Sequence, residues 1–184
     1  MTTFPTTVRQ LPCVNILTDR IVEKFLIRLN ILDNCVTDLY IVSPVLGTLA
    51  DTGLPLEQLR RILRVRKIKT YLVTQSPNTE LTKKAPGHTL ALNILKDLDL
   101  IEIRFNDNLH AKVYLCQCKK SEDSFALLGS ANLTWTSIVK NIEIGVLIKC
   151  FSSGEPIIHE LNSWFQSRLR TNSSIYKSMV APKN

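Results

Sequence analysis

Hydrophobic positions along the chain recur at two spacings, and the pattern switches between them several times. In "TDRIVEKFLIRLNIL", residues 18–32, Ile21, Phe25, Leu26 and Leu29 fall on one helical face, with an N-cap expected at Thr18. "TDLYIVSPVL", residues 37–46, is an apolar run of strand length that stops at Ser43-Pro44. "LPLEQLRRILRVRK", residues 54–67, returns to helical spacing, with Pro55 at its start and Leu56, Leu59, Ile62 and Leu63 facing inward. A strand "IKTYLVT" (68–74), a loop "QSPNTELTKKAPG" (75–87) and a helix "HTLALNILKDL" (88–98) follow. The second half is richer in strands: "LIEIRF" (100–105), "AKVYLCQC" (111–118), "SFALLGS" (124–130) and "IEIGVLIKC" (142–150). The hydrophilic "KKSED" at 119–123 reads as a hairpin loop. A last amphipathic helix, "EPIIHELNSWFQSRL" (155–169), places Ile158, Leu161 and Phe165 inward, and from about Asn172 the chain reads as a ragged tail.

Strand–helix alternation followed by hairpin-linked strands predicts an α/β chain, a mixed β-sheet flanked by helices on both faces. No linker interrupts the pattern, so residues 1–184 read as one domain. Composition is ordinary for a globular protein, 45% hydrophobic and 21% charged. The apolar runs fall short of a membrane span, and the first residues lack the apolar core of a secretory signal, so a cytoplasmic protein is expected. Five cysteines form no disulfide framework. Cys116 and Cys118 are spaced C-x-C without a second pair to complete a zinc site, and read as reduced strand residues. The net charge of +7 favours polyanionic partners without identifying one.

The chemistry begins in "NLHAKVYLC", residues 108–116. As a strand it projects His110 and Lys112 from one face, with Tyr114 and Cys116 beyond them, and Ala111, Val113 and Leu115 from the other. A lysine beside a histidine raises the cost of charge on either unless an anion is close. The pair is either the polar face of an edge strand or half of an anion site. Downstream, "LLGSANLTW" runs from an apolar strand into Gly129-Ser130 and then Asn132. This is an ordinary strand-to-helix turn or a phosphate seat, since Gly admits close approach and Ser and Asn donate hydrogen bonds. In "KNIEIGVLIKC", Ile142, Ile144 and Val146 share one strand face, and Asn141 and Glu143 the other. A carboxylate in so apolar a strand needs a partner: a nearby cation, water at an edge, or an imidazole that it orients.

His-x-Lys, then Gly-Ser-x-Asn, then a Glu eleven residues past the Asn, carried here by His110, Lys112, Gly129, Ser130, Asn132 and Glu143, resembles the phospholipase D superfamily motif. One position departs from it: many members carry an Asp five residues after the Lys, where this chain has Gln117. The resemblance implies the phospholipase D-like α-β-α sandwich and phosphodiester cleavage through a covalent phosphohistidine. His110 would attack phosphorus, while Lys112, Ser130 and Asn132 would hold the non-bridging oxygens and Glu143 would orient the imidazole. No metal and no other cofactor is then required.

The superfamily protonates its leaving oxygen with a histidine from a second motif copy, and this chain has one copy. His88 in "APGHTLAL" reads as a helix-start residue and His159 in "IIHELNSW" as a helix-face residue; "HELN" lacks the second His of a zinc motif. A homodimer with the active site at its interface supplies the second copy. The motif does not fix the substrate. Size and charge favour nucleic acid, and DNA is the expected partner. Arg60, Arg61 and Arg64 either contact its phosphates or form a solvated helix face, and Lys83, Lys84 and Arg104 are further candidates. The block also resembles the catalytic domain of metal-independent restriction endonucleases, which implies a separate DNA-recognition domain or subunit. Two rivals stand beside the endonuclease. A phospholipase or phosphatidyl transferase should show an exposed apolar rim, and none is legible here; a non-catalytic nucleic-acid-binding domain has no need of a nucleophile with its orienter.

Overall fold

The computed structural model describes residues 13–32, 35–50, 55–150 and 156–180. Its centre is an eight-stranded sheet in the order β1-β7-β6-β5-β2-β3-β4-β8. The strands are β1 Cys13–Leu17, β2 Val36–Val42, β3 Lys69–Thr74, β4 Ile101–Phe105, β5 Val113–Cys118, β6 Phe125–Gly129, β7 Gly145–Lys149 and β8 Ser174–Lys177. β2, β3 and β4 are parallel neighbours, and every other pairing is antiparallel. The helices are α1 Ile21–Ile31, α2 Leu56–Val65, α3 Glu80–Lys83, α4 His88–Lys96, α5 Trp135–Val139 and α6 Pro156–Trp164, which continues as a π-helical turn Phe165–Leu169.

Alternation along the strands divides the core between the two faces of the sheet. Leu39 and Ile41 of β2, with Tyr114 and Cys116 of β5, pack against α1, α2, α4 and α5. Tyr40 and Val42, with Val113 and Leu115, pack against Ile158 of α6 and Phe165 and Leu169 of the π turn. The expected sandwich is thus the observed one. In α2 the buried residues are Leu56, Leu59 and Leu63, one stripe at helical spacing.

Local expectations fail where an element's end depends on a neighbour. Thr18 does not cap α1; Arg20 holds that place with left-handed backbone (φ 45°) and its guanidinium binds Glu23 in the first turn. Cys13–Leu17 forms an edge strand that the sequence pattern did not reveal, and residues 1–12 lie outside the described part. The loop at 75–87 contains the short α3. The tail is not ragged throughout, because Ser174–Lys177 pairs with β4 as the other edge strand. The thiols of Cys35 and Cys118 sit 3.5 Å apart where β2 begins and β5 ends. Among the described residues no group of three His, Cys, Asp or Glu side chains could hold a metal ion.

An ion cluster fixes that last strand. Glu102 of β4, buried, accepts from Arg104 Nε at 2.7 Å and from Arg170 Nε and Nη2 at 2.7 Å each. Arg104 also donates to the carbonyls of Arg170 and Ser173. Burial pushes the Glu102 carboxyl up, but the hydrogen bonds from Arg170 and Arg104 outweigh it, so the group lies below its usual range. A carboxylate depressed by folding contributes stability above its unfolded value, and that contribution is lost as pH falls through the folded value. Glu102→Gln should therefore lower the melting temperature at neutral pH and flatten the acid limb below about pH 4.3. The expected cost is about 2 kcal/mol by denaturant unfolding, less than for a sealed pair because the Arg170 side chain is 37% exposed.

Candidate active site

The residues of the motif gather at one end of the sheet. β2 and β6 finish there, at Val42 and Gly129, and β5 and β7 begin there, at Val113 and Gly145. Val113 is paired on both sides, with Val42 and with Leu128. Beyond it β2 turns away at Ser43-Pro44 and β6 at Ser130, so the ladder runs out on both sides at once. His110 and Lys112 therefore precede β5 instead of lying within it as the sequence predicts.

The backbone still ties the two halves of the motif together. Gly129 N–H donates to Lys112 O at 3.2 Å, and Ser130 N–H to Ile144 O at 3.0 Å. Gly129 is required by space: a Cβ there would lie 2.4 Å from Ile144 O and 2.8 Å from Gly145 Cα. Ser130 Oγ donates to Glu143 Oε2 and accepts from Ile144 N–H at 3.1 Å. Asn141 Nδ2 donates to Glu143 Oε1 at 3.1 Å. The Glu143 carboxylate is thus held by Ser130 and Asn141 and not by His110. The strand order explains this, since β6 lies between β7 and β5 and places Glu143 about two strand spacings, roughly 10 Å, from the His110 segment.

His110 is exposed, and its imidazole makes no hydrogen bond among the described residues. Lys112, half-buried, turns its Nζ back to His110 O at 2.9 Å, a bond to a backbone carbonyl that an anion could replace. Asn132 Oδ1 is buried without a partner, while its unbonded amide nitrogen reaches solvent as a donor. Tyr114, wholly buried, fixes the turn between Ser130 and Asn132 by donating its hydroxyl to Ala131 O at 2.9 Å. Ser43 Oγ accepts Leu133 N–H at 2.9 Å from the other side. Together these groups present an imidazole, an ammonium and an amide donor at one open edge, the set needed to hold a phosphate and attack it.

The remaining sequence candidates lie elsewhere or are engaged. α2 starts at the site end and runs away from it. Arg60 pairs with Glu57 at 2.8 Å, Arg61 is exposed on the helix surface, and Arg64 donates to Asp97 O at the far end of α4. Arg104 belongs to the Glu102 cluster. Lys83 pairs with Glu80, and Lys84 is an exposed cation on the loops above β3. Gln117 lies near the opposite end of β5, where its Oε1 accepts the Tyr40 hydroxyl at 3.1 Å; the departure from the motif does not touch the site. His159 is exposed on α6, and His88 does begin α4, but it is buried. Sequence reasoning placed Asn141 on the Glu143 face without giving it a role and missed Lys140, whose ammonium lies 4.8 Å above the Trp135 ring. Their position directly ahead of Glu143 was the available signal.

Sequence reasoning also missed an apolar rim. Ile142 is fully exposed and Ile144 59% exposed, on either side of Glu143. They continue a sheet face on which Ile16, Val146 and Leu128 form one cross-strand row and Val14, Ile148 and Ala126 the next. α6 packs over β5 and leaves Ile16 69% and Val14 51% exposed. Among the described residues no helix is long and apolar enough to cross a membrane.

A family model described as cardiolipin synthase, PLD-like domain, matches residues 29–169. The chain belongs to the phospholipase D superfamily. Solved structures of the superfamily's fold agree over nearly the whole chain. A phospholipase D family member, Nuc from Salmonella typhimurium, is 18% identical with a TM-score of 0.65, covering 91% of this chain and 100% of that one. NucT from Helicobacter pylori is 15% identical with a TM-score of 0.59, over 90% and 100% of the two chains. Phosphatidylserine synthase from Haemophilus influenzae is also 15% identical, with a TM-score of 0.60 over 92% of this chain and 41% of that one. No curated protein matches the chain in sequence. The phosphodiesterase fold of the superfamily is therefore the one on which these residues sit.

Gly129→Ala should open the junction of β6 and β7, because backbone atoms cannot yield to the new methyl group. The expected loss is about 1–3 kcal/mol by denaturant unfolding, with faster amide exchange at Ser130 and Ile144 as the local readout.

Proposed function

We propose that this chain is a metal-independent phosphodiesterase that cleaves nucleic acid, DNA foremost, at a site completed by a second copy of itself. The observation that carries the reading is the meeting of His-x-Lys and Gly-Ser-x-Asn at one sheet end, tied by the bond from Gly129 to Lys112 O. In the reaction, an imidazole nitrogen of His110 forms a bond to phosphorus as the bond to the leaving oxygen breaks. The His110 imidazole of the second copy, protonated, gives that oxygen its proton. It then takes a proton from water, whose oxygen displaces His110 and releases the phosphate monoester. Lys112 and Asn132 hold the non-bridging oxygens. Glu143 keeps the Ser130 hydroxyl in place; that hydroxyl is free for a phosphate oxygen only when the carboxylate takes another donor, which couples Glu143 to the charge state of the site.

The exposed row Val14, Ile16, Ile142 and Ile144 supports the second copy, because it is continuous with the site end and a two-fold pairing would cover it. The net charge of +7 supports a polyanionic substrate, to which Lys84 and Lys140 offer exposed cations. The apolar rim also favours a second reading, cleavage or transfer of a lipid phosphodiester, in keeping with the family description.

Wild-type protein in EDTA should nick labelled DNA, and His110→Ala should lose the activity by about 10³-fold or more. A folded wild type that cleaves neither single- nor double-stranded DNA but cleaves phosphatidylglycerol vesicles would replace the nuclease reading by the lipid one.

The rim gives a separate expectation. Ile142→Asp with Ile144→Asp should yield a folded monomer by light scattering, with cleavage reduced although every motif residue is intact.

A further inference from the structure

The segments that carry His110 and Asn132 leave different strands, β4 and β6, yet one buried side chain outside the proposed chemistry is connected to both. His88, the first residue of α4, is 1% exposed. Its Nδ1 accepts Leu46 N–H at 3.1 Å. That nitrogen is therefore unprotonated, and Nε2 carries the hydrogen that it donates to Gln75 O at 3.1 Å. The imidazole is neutral and in one tautomer. Burial lowers its basicity, against the opposing effect of the bond to Gln75.

From these two bonds the network branches toward the site. On one side Leu46 forms a parallel bridge with Leu133, and Gly47 N–H donates to Leu133 O at 2.7 Å. Leu133 directly follows Asn132. On the other side Gln75, itself buried, donates through Nε2 to Leu109 O at 3.0 Å, and its Oε1 accepts the Thr79 hydroxyl at 2.8 Å. Leu109 directly precedes His110. Every polar atom in this path is satisfied only if the two loops keep their present separation. Such a buried, fully bonded network is stiff, and it is costly to leave half-made.

We propose that His88 and Gln75 are positioning residues, which set the distance between the His110 nucleophile and the Asn132 donor by holding the backbone on either side of the site. The assignment rests on the phosphodiesterase reading given above. It makes no demand on the substrate, so a small diester is the appropriate probe.

The test compares wild type with His88→Ala, His88→Asn, His88→Gln and Gln75→Leu. The readouts are cleavage of bis(p-nitrophenyl) phosphate in EDTA and backbone amide exchange. His88→Ala should reduce kcat by about 10²-fold, the scale of a small misplacement of reacting groups, with KM changed far less. Exchange should quicken at both 109–112 and 131–133. Asn at position 88 keeps an acceptor for Leu46 N–H and should restore protection at 131–133. Gln keeps a donor for Gln75 O and should restore protection at 109–112. Gln75→Leu should loosen 109–112 alone, and it decides the matter if His88→Ala does not fold. Full kcat in a folded His88→Ala, or exchange changes confined to residues 44–47 and 75–88, would overturn the proposal. If wild type cleaves no diester, the reading of the reaction fails by itself. Exchange then decides the positioning role, which stands if both segments loosen and falls if they do not.

Discussion

Everything at the working end of this molecule depends on where strand β5 stops being paired. Val113 is held by Val42 on one side and Leu128 on the other; beyond it β2 has turned away, and β6 gives one last bond, from Gly129, before it turns too. A chain leaving a ladder with both edges lost must find other partners for its backbone or face water. Here Lys112 O finds Gly129 N–H, Leu109 O finds Gln75, and His110 emerges between them, its ring unbonded among the described residues. The His110 imidazole is presented by the failure of the sheet to continue, within a frame of backbone bonds.

The electrostatics follow from the same placement. A carboxylate next to the His110 imidazole would be the simplest way to orient it, but β6 intervenes, and Glu143 is occupied with Ser130 and Asn141. Lys112 meanwhile rests on a neutral carbonyl. At the site end the isolated chain thus sets Glu143 against neutral donors and Lys112 against backbone, and an incoming phosphate would reorganise Lys112 first. The large ion cluster, Glu102 with Arg104 and Arg170, stands toward the β8 edge and secures strands instead of substrate. Charge in the sequence was therefore a poor guide to charge at the site.

What could be read beforehand was whatever repeats or recurs at fixed spacing. The helical stripe of Leu56, Leu59 and Leu63, the alternation of β2 and the order of the motif residues all survived, because each is a local statement about which way a side chain points. What could not be read was set by distant chain. Thr18 looked like a cap, yet the helix starts under Arg20 and Glu23. Ile142 and Ile144 looked like core strand, yet their ladder partner ends at Gly129 and leaves them bare. His88 looked like an ordinary helix start, and its two bonds reach residues 42 and 13 positions away. The α2 arginines were legible as outward-facing, but not that Arg60 is taken by Glu57 and Arg64 by the Asp97 carbonyl.

The two glycines at the junction of β6 and β7 have a wider consequence. With no side chain between Gly129 and Gly145, the distance from the Ser130 turn to its neighbour strand is set by backbone alone. The loops above β2, β3 and β4 take no part in that contact. They act on the other axis of the site, where Leu46, Gln75 and Leu109 tie them to the segments of Asn132 and His110. A change in length or charge can therefore be accommodated only in the parts of those loops that make none of these bonds, while the contact of Gly129 with Gly145 holds whatever the loops do.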